Sequence, residues 1–215
     1  MSPGAALARI RLNPRSHAVQ RDLRNATDMH RTLMRLVPDG LGDNPRQTAG
    51  LLYRLDATDT STTLLVQAAA LDPTRLPDDY GHADVKDITP MFNALKKALV
   101  IRYRIVVNPV KTQRLSLEKK GQRGKRIPLT GPDADQWWAR RAREAGLHLT
   151  TALPTPVAAA HRRGDNSAVV RHHLVRYDGT AIVTDPDALA QAILDGIGRA
   201  KSYGAGLLSL APAVI

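Results

Sequence analysis

Near the start of the chain polar and apolar positions alternate, with Arg9 and Arg11 set between Ala8, Ile10 and Leu12, which predicts a strand over Ala5 to Leu12 with one cationic, solvated face. Asn13-Pro14 then turns the chain. From Asn25 or Thr27 the period lengthens to that of a helix, and Met29, Leu33, Leu36 and Val37 form one apolar stripe that stops before Pro38-Asp39-Gly40. Two apolar runs, Gly50 to Asp56 and Thr62 to Ala69, flank a polar stretch and predict a β-hairpin. Beyond a segment rich in Pro and Asp at 72–79, Val85 to Ile88 predicts a fourth strand and Met91 to Leu99 a linking helix.

The succession then repeats. Ile101 to Val107 echoes the first strand, with Arg102 and Arg104 alternating with Ile101, Tyr103 and Ile105, and it too ends on an Asn-Pro pair, Asn108-Pro109. Lys111 to Arg126 is charged and interrupted by Gly121 and Gly124, which predicts an exposed basic loop. Thr130-Gly131-Pro132 opens a helix carrying Trp137, Trp138 and Ala142, closed by Gly146. Leu147 to Leu153 and Val169 to Tyr177 are expected strands, with Asp178-Gly179 turning the chain into Ala181 to Thr184. Thr184 is placed to cap a helix that buries Leu189, Ile193 and Leu194, and a glycine-rich loop leads to a last strand, Gly206 to Leu210. Each half therefore reads approximately as strand, helix, strand, strand, helix, strand. That order folds into an antiparallel sheet with helices on one face. The fold class expected is α+β, as two tandem ferredoxin-like (RRM-like, βαββαβ) domains over residues 1–97 and 98–215.

Charge decides what such a fold meets. A formal net charge of +11 on 215 residues favours a polyanion, because phosphates release counterions to a basic surface. The absence of cysteine excludes disulfides, thiolate nucleophiles and Cys-based metal sites. Residues Met1 to Ile10 lack the apolar run of a secretory signal, and no stretch reaches the roughly 18 apolar residues of a membrane span, so no membrane partner and a cytoplasmic location are expected. Aromatic residues make up only 4% of the chain, too few for an ordinary base-stacking platform, so duplex or hairpin shape is the expected target.

Of the seven histidines, His30 stands out. Imidazole titrates near neutrality, and Arg31 and Arg35, four residues apart, share a helical face beside it where phosphates could bind. A packing or surface histidine is the other explanation. His172 and His173 are adjacent, so a strand would point them to opposite faces; no HExxH spacing occurs, and neither metal nor cofactor is expected. Between Gly196 and Gly206 the chain concentrates Gly196, Gly198, Gly204 and Gly206 with Arg199 and Lys201, a composition that lets backbone approach a phosphate and equally serves a tight helix-to-strand connection. Further basic clusters lie at Lys119 to Arg126 and at His161-Arg162-Arg163.

Four ordered segments resemble the CasE (Cse3) endoribonucleases of type I-E CRISPR systems over nearly the whole chain. They are Arg9 to Pro14 with the His30 region, Tyr103 to Lys111, Gly124 to Leu129, and the terminal glycine loop with Leu207-Leu208. The resemblance implies a metal-independent nuclease that binds the hairpin of CRISPR repeat RNA, cuts at its 3′ base and stays with the guide RNA beside other Cascade subunits. It places the catalytic histidine at His30 and matches Lys111, Arg162 and Arg163 to RNA-groove contacts. Thr27 stands where some members carry a tyrosine. A non-catalytic hairpin-binding subunit of the same fold and a generic basic scaffold are the competing readings.

Overall fold

The computed structural model describes residues 4–113, 124–161 and 171–213. Two antiparallel sheets organise it. In the first, β1 (Ala6–Leu12), β2 (Leu52–Ala57), β3 (Thr62–Ala68) and β4 (Gly81–Asp87) lie in the order β2-β3-β1-β4. In the second, β5 (Val100–Val107), β8 (Leu147–Leu149), β10 (Arg171–Val183) and β11 (Leu208–Pro212) lie in the order β11-β5-β10-β8, and β9 (Leu153–His161) also pairs with β10. Both orders place the first and third strands of a half at the centre and its fourth strand at an edge, which is the ferredoxin-like arrangement in tandem.

The alternation foreseen for β1 holds: Ala8, Ile10 and Leu12 are buried while Arg9 and Arg11 face solvent. Over this sheet pack α1 (His17–Arg24) and α2 (Ala26–Met34), and the stripe Met29, Leu33, Leu36 and Val37 enters the core with Leu64, Val66 and Tyr80. Each such side chain contributes about 1.5–3 kcal/mol by leaving water. The second core is built on α5 (Pro132–Glu144), where Ala134, Trp137, Trp138 and Ala142 recur at helical spacing, and on Leu189 and Ile193 of α6 (Pro186–Asp195). Trp138 Nε1 donates to the Tyr103 hydroxyl at 3.2 Å, so the buried indole is satisfied.

Several sequence expectations need correction. In the first half no α-helix separates β3 from β4; a single 3-10 turn, Pro73–Arg75, stands there. The linking helix is shorter than Met91 to Leu99: α4 spans Thr89–Asn93, and Phe92 packs into the second core. The basic loop contains a two-stranded ribbon, β6 (Val110–Thr112) with β7 (Arg126–Pro128). Asp178-Gly179 is not a turn, because β10 runs straight through it; Asp178 pairs with both Arg104 and Leu153, and a Cβ at Gly179 would strike the Thr151 carbonyl. The final helix is capped by Asp185 rather than Thr184, its carboxylate accepting from the Asp187 and Ala188 amides at 3.1 and 3.0 Å.

What seats one half on the other is β2. Tyr53 Oη donates to the Ser202 carbonyl at 3.0 Å, and buried Arg54 donates to the Arg104 carbonyl at 3.1 Å and the Ser209 hydroxyl at 2.9 Å while pairing with Asp56 at 2.9 Å. Gln67 of the neighbouring β3 adds a bond to the Ile193 carbonyl at 2.8 Å.

Candidate active site

The site grows from α2. Asn25 caps it, accepting from the Thr27 amide at 3.0 Å and donating to Asp28 at 2.8 Å. Because Met29, Thr32 and Leu33 point into the core, His30 falls at the edge of the buried face and is half-buried. It opens into a hollow lined also by Met34, Asp43, Asn44, Arg46, Gln47 and Ser202. Ser202 comes from the other half, since the 3-10 turn Lys201–Tyr203 rests against α2 and β2.

One cation lines this hollow, beside Asp43, and a second stands in the turn that carries Ser202. Arg46, on α3 (Pro45–Thr48), is half-buried and donates to the Leu51 carbonyl at 3.1 Å. Lys201 donates to the Asp195 carbonyl at 2.6 Å. Burial, and then the Arg46 charge, hold the His30 imidazole below its ordinary pKa; the same two causes depress the Lys201 ammonium, against a weaker pull from Asp195. Nδ1 of His30 is buried without a hydrogen-bond partner among the described residues, so exchange of a proton with a bound molecule falls to Nε2.

Of the residues singled out from sequence, the structure brings together His30 and the turn that carries Lys201. Arg31 points to solvent and pairs with Asp28 at 3.1 Å, and Arg35 is exposed at the end of α2; neither lines the hollow. Arg199 is exposed in the glycine loop. Lys111 lies on the ribbon, at a separate hollow shared with Arg140 and Arg141. Arg162 and Arg163 lie outside the described residues. The glycines have a packing role: all four adopt positive φ, a Cβ on Gly196 would fall 2.6 Å from Leu52, and one on Gly204 would fall 3.2 Å from the Tyr53 ring. They let the loop close against β2 and thereby deliver Lys201 and Ser202 to α2. Arg46 was not foreseen. It lies in a Pro-containing turn with no periodicity and no neighbouring charge pattern to mark it.

A second histidine is also half-buried. His172 Nδ1 meets Asn108 Nδ2 at 3.1 Å, its ring packs on Tyr203 at 4.4 Å between centroids, and burial followed by the Arg126 charge lowers its pKa.

Tandem ferredoxin-like sheets, with a titratable histidine and an arginine in a hollow where the halves meet, define the class as a basic α+β protein. Comparison with known proteins narrows this. A sequence model of the family described as "CRISPR associated protein" matches residues 7–212. The CRISPR-associated endoribonuclease Cse3 of Thermus thermophilus is 30% identical over 219 residues, covering 96% of this chain and 99% of the relative. The CRISPR system Cascade subunit CasE of Escherichia coli is 26% identical over 195 residues, covering 88% and 93%. A solved structure of Thermus thermophilus Cse3 bound to an RNA representing a pre-cleavage complex superposes with a TM-score of 0.80 at 30% identity, over 97% of this chain and 99% of that one. The chain belongs to the CasE (Cse3) family of CRISPR-associated proteins. Among the described residues no helix is long and apolar enough to cross a membrane.

Proposed function

We propose that the chain is an endoribonuclease that binds the hairpin of CRISPR repeat RNA, cuts at its 3′ base, and remains with the product in the cytoplasm beside other Cascade subunits. The observation that carries this is His30, half-buried at the mouth of a hollow to which both halves contribute, with Arg46 and the Lys201 turn beside it. The names of the similar proteins, an endoribonuclease and a Cascade subunit, point the same way.

The chemistry needs no bound cofactor or metal. The RNA's 2′-oxygen attacks the adjacent phosphorus and gives its proton to water; the P–O5′ bond breaks as His30 Nε2 protonates the departing oxygen. A 2′,3′-cyclic phosphate and a 5′-hydroxyl result. Lys201 offsets charge at the phosphate, and Arg31, Arg35, Arg199 and Lys111, with Arg162 and Arg163, hold the flanking backbone. Residues 1–97 thus supply the proton donor, and 98–215 the loop that completes the site.

The test is cleavage of a repeat hairpin in excess EDTA, with a second hairpin carrying a 2′-deoxyribose just 5′ of the cut. Cleavage of the first to a cyclic phosphate, with the second bound and intact, is expected. Cutting of the deoxy hairpin would overturn the 2′-oxygen mechanism. Tight hairpin binding without cutting of either would favour the non-catalytic reading, to which Thr27, in place of the tyrosine of some members, lends its weight.

A further inference from the structure

Arg46 is the one strongly basic residue in the His30 hollow for which the proposed function has no use, and its surroundings are unusual for a surface arginine. It is half-buried, burial alone depresses its guanidinium, and the Leu51 carbonyl is its hydrogen-bond partner among the described residues. Asp43 lines the same rim but makes no ion pair with it. Its charge reaches Lys201, a second half-buried cation delivered by the other half of the chain. Neither cation is in a salt bridge with a carboxylate among the described residues, and Asp195 only weakly offsets the Lys201 charge, so an anion between the two would be favoured. The Leu51 bond fixes one Nη1–H, which leaves the rest of the guanidinium fork to meet that anion.

Building on the nuclease reading, we propose that Arg46 binds the phosphate being cut, gripping a non-bridging oxygen opposite Lys201 while His30 delivers the proton to the departing 5′-oxygen. The charged groups around His30 are then Arg46 from α3, Asp43 from the segment before it, Lys201 from the 3-10 turn, and Asp28 and Arg31 from its own helix. The arrangement couples binding to chemistry. Without RNA, burial and then the Arg46 charge favour the neutral imidazole; an incoming phosphate offsets the Arg46 charge and favours the imidazolium that acts as acid. Arg46 would be a catalytic residue, because it touches the reacting phosphate.

Arg46→Gln and Arg46→Lys, in the full chain, decide the matter. Expected for Arg46→Gln is a single-turnover cleavage rate lower by about 10²–10³, as for loss of one charge-stabilising donor, with affinity for the 2′-deoxy hairpin changed less than about tenfold. Arg46→Lys should recover part of the rate. Nuclear magnetic resonance titration of His30 supplies a readout that a merely structural arginine would not move. In the wild type the deoxy hairpin should raise the His30 pKa; in Arg46→Gln the free protein should start higher and rise less. A Gln variant that cuts within about threefold of wild type, or one that titrates as wild type does, overturns the proposal. If the wild type binds hairpins but cuts none, the nuclease reading fails while the His30 titration still decides whether Arg46 meets the phosphate.

Discussion

Two half-buried histidines occupy nearly equivalent electrostatic settings and differ in how their surroundings are assembled. His30 and His172 are each held below the ordinary imidazole pKa by burial and a nearby arginine, Arg46 for one and Arg126 for the other. Yet His172 is held on Nδ1 by Asn108 and packed at a tilt against Tyr203, and every one of these groups belongs to the second sheet and its connections. Among the described residues His30 makes no hydrogen bond through Nδ1; it opens into a hollow and sits where a helix of one half meets a turn of the other. The lesson is that a perturbed pKa marks both a reactive group and a packed one, and access to a second molecule distinguishes them. His30 opens into a hollow lined by side chains of both halves, whereas His172 reaches the junction only through Tyr203, whose turn rests on α2 and β2.

That junction gives the largest expected effect. Arg54 is buried and bonded across the junction, so Arg54→Ala removes its bonds to the Arg104 carbonyl and Ser209, leaves Asp56 with the longer Arg104 pair at 3.7 Å, and should cost about 3 kcal/mol of stability, measured by urea unfolding. In whatever fraction stays folded, cleavage should fall; unchanged cleavage would show that the His30 site does not need the junction. A smaller effect is expected of His172→Phe, which keeps a ring against Tyr203 and loses the Asn108 bond. It should cost about 1 kcal/mol and leave cleavage within about threefold. The sign of its pH dependence follows from the lowered pKa. The folded state prefers neutral His172, so its contribution is present above the unfolded value of about 6.5 and is lost as pH falls toward the folded pKa. Part of the acid destabilisation of the wild type should therefore disappear in His172→Phe. A His172→Phe variant that folds and binds but no longer cuts would erase the distinction between the two sites.

The sequence made the architecture legible where burial follows a period. The alternation in β1 and β5, the stripe of α2 and the Trp137–Trp138 face of α5 are all recovered in the cores. It failed where burial is polar or the strand is irregular. Helix α1 escaped notice because one of its two buried residues is Asp22, satisfied by the Tyr80 hydroxyl at 2.9 Å and by Arg21, so no apolar stripe announces it. Pro154 and Pro156 hid β9, an edge strand that tolerates proline because its outer face needs no amide donors. Asp178-Gly179 has the composition of a hairpin turn, but the close Thr151 carbonyl, invisible in one dimension, is what requires the glycine. His30 and Lys201 could be named from residue type and resemblance, whereas Arg46 becomes visible only once the chain has folded and placed it beside both.

The central claim is that His30 transfers a proton and does not hold the RNA. It is tested most directly by His30→Ala beside the wild type, with single-turnover cleavage and hairpin affinity measured on the same preparations in EDTA. A cleavage rate lower by about 10²–10⁴, with affinity within a few-fold, is the predicted result. Equal cleavage by the two proteins, or a loss of cleavage fully accounted for by lost binding, would contradict it.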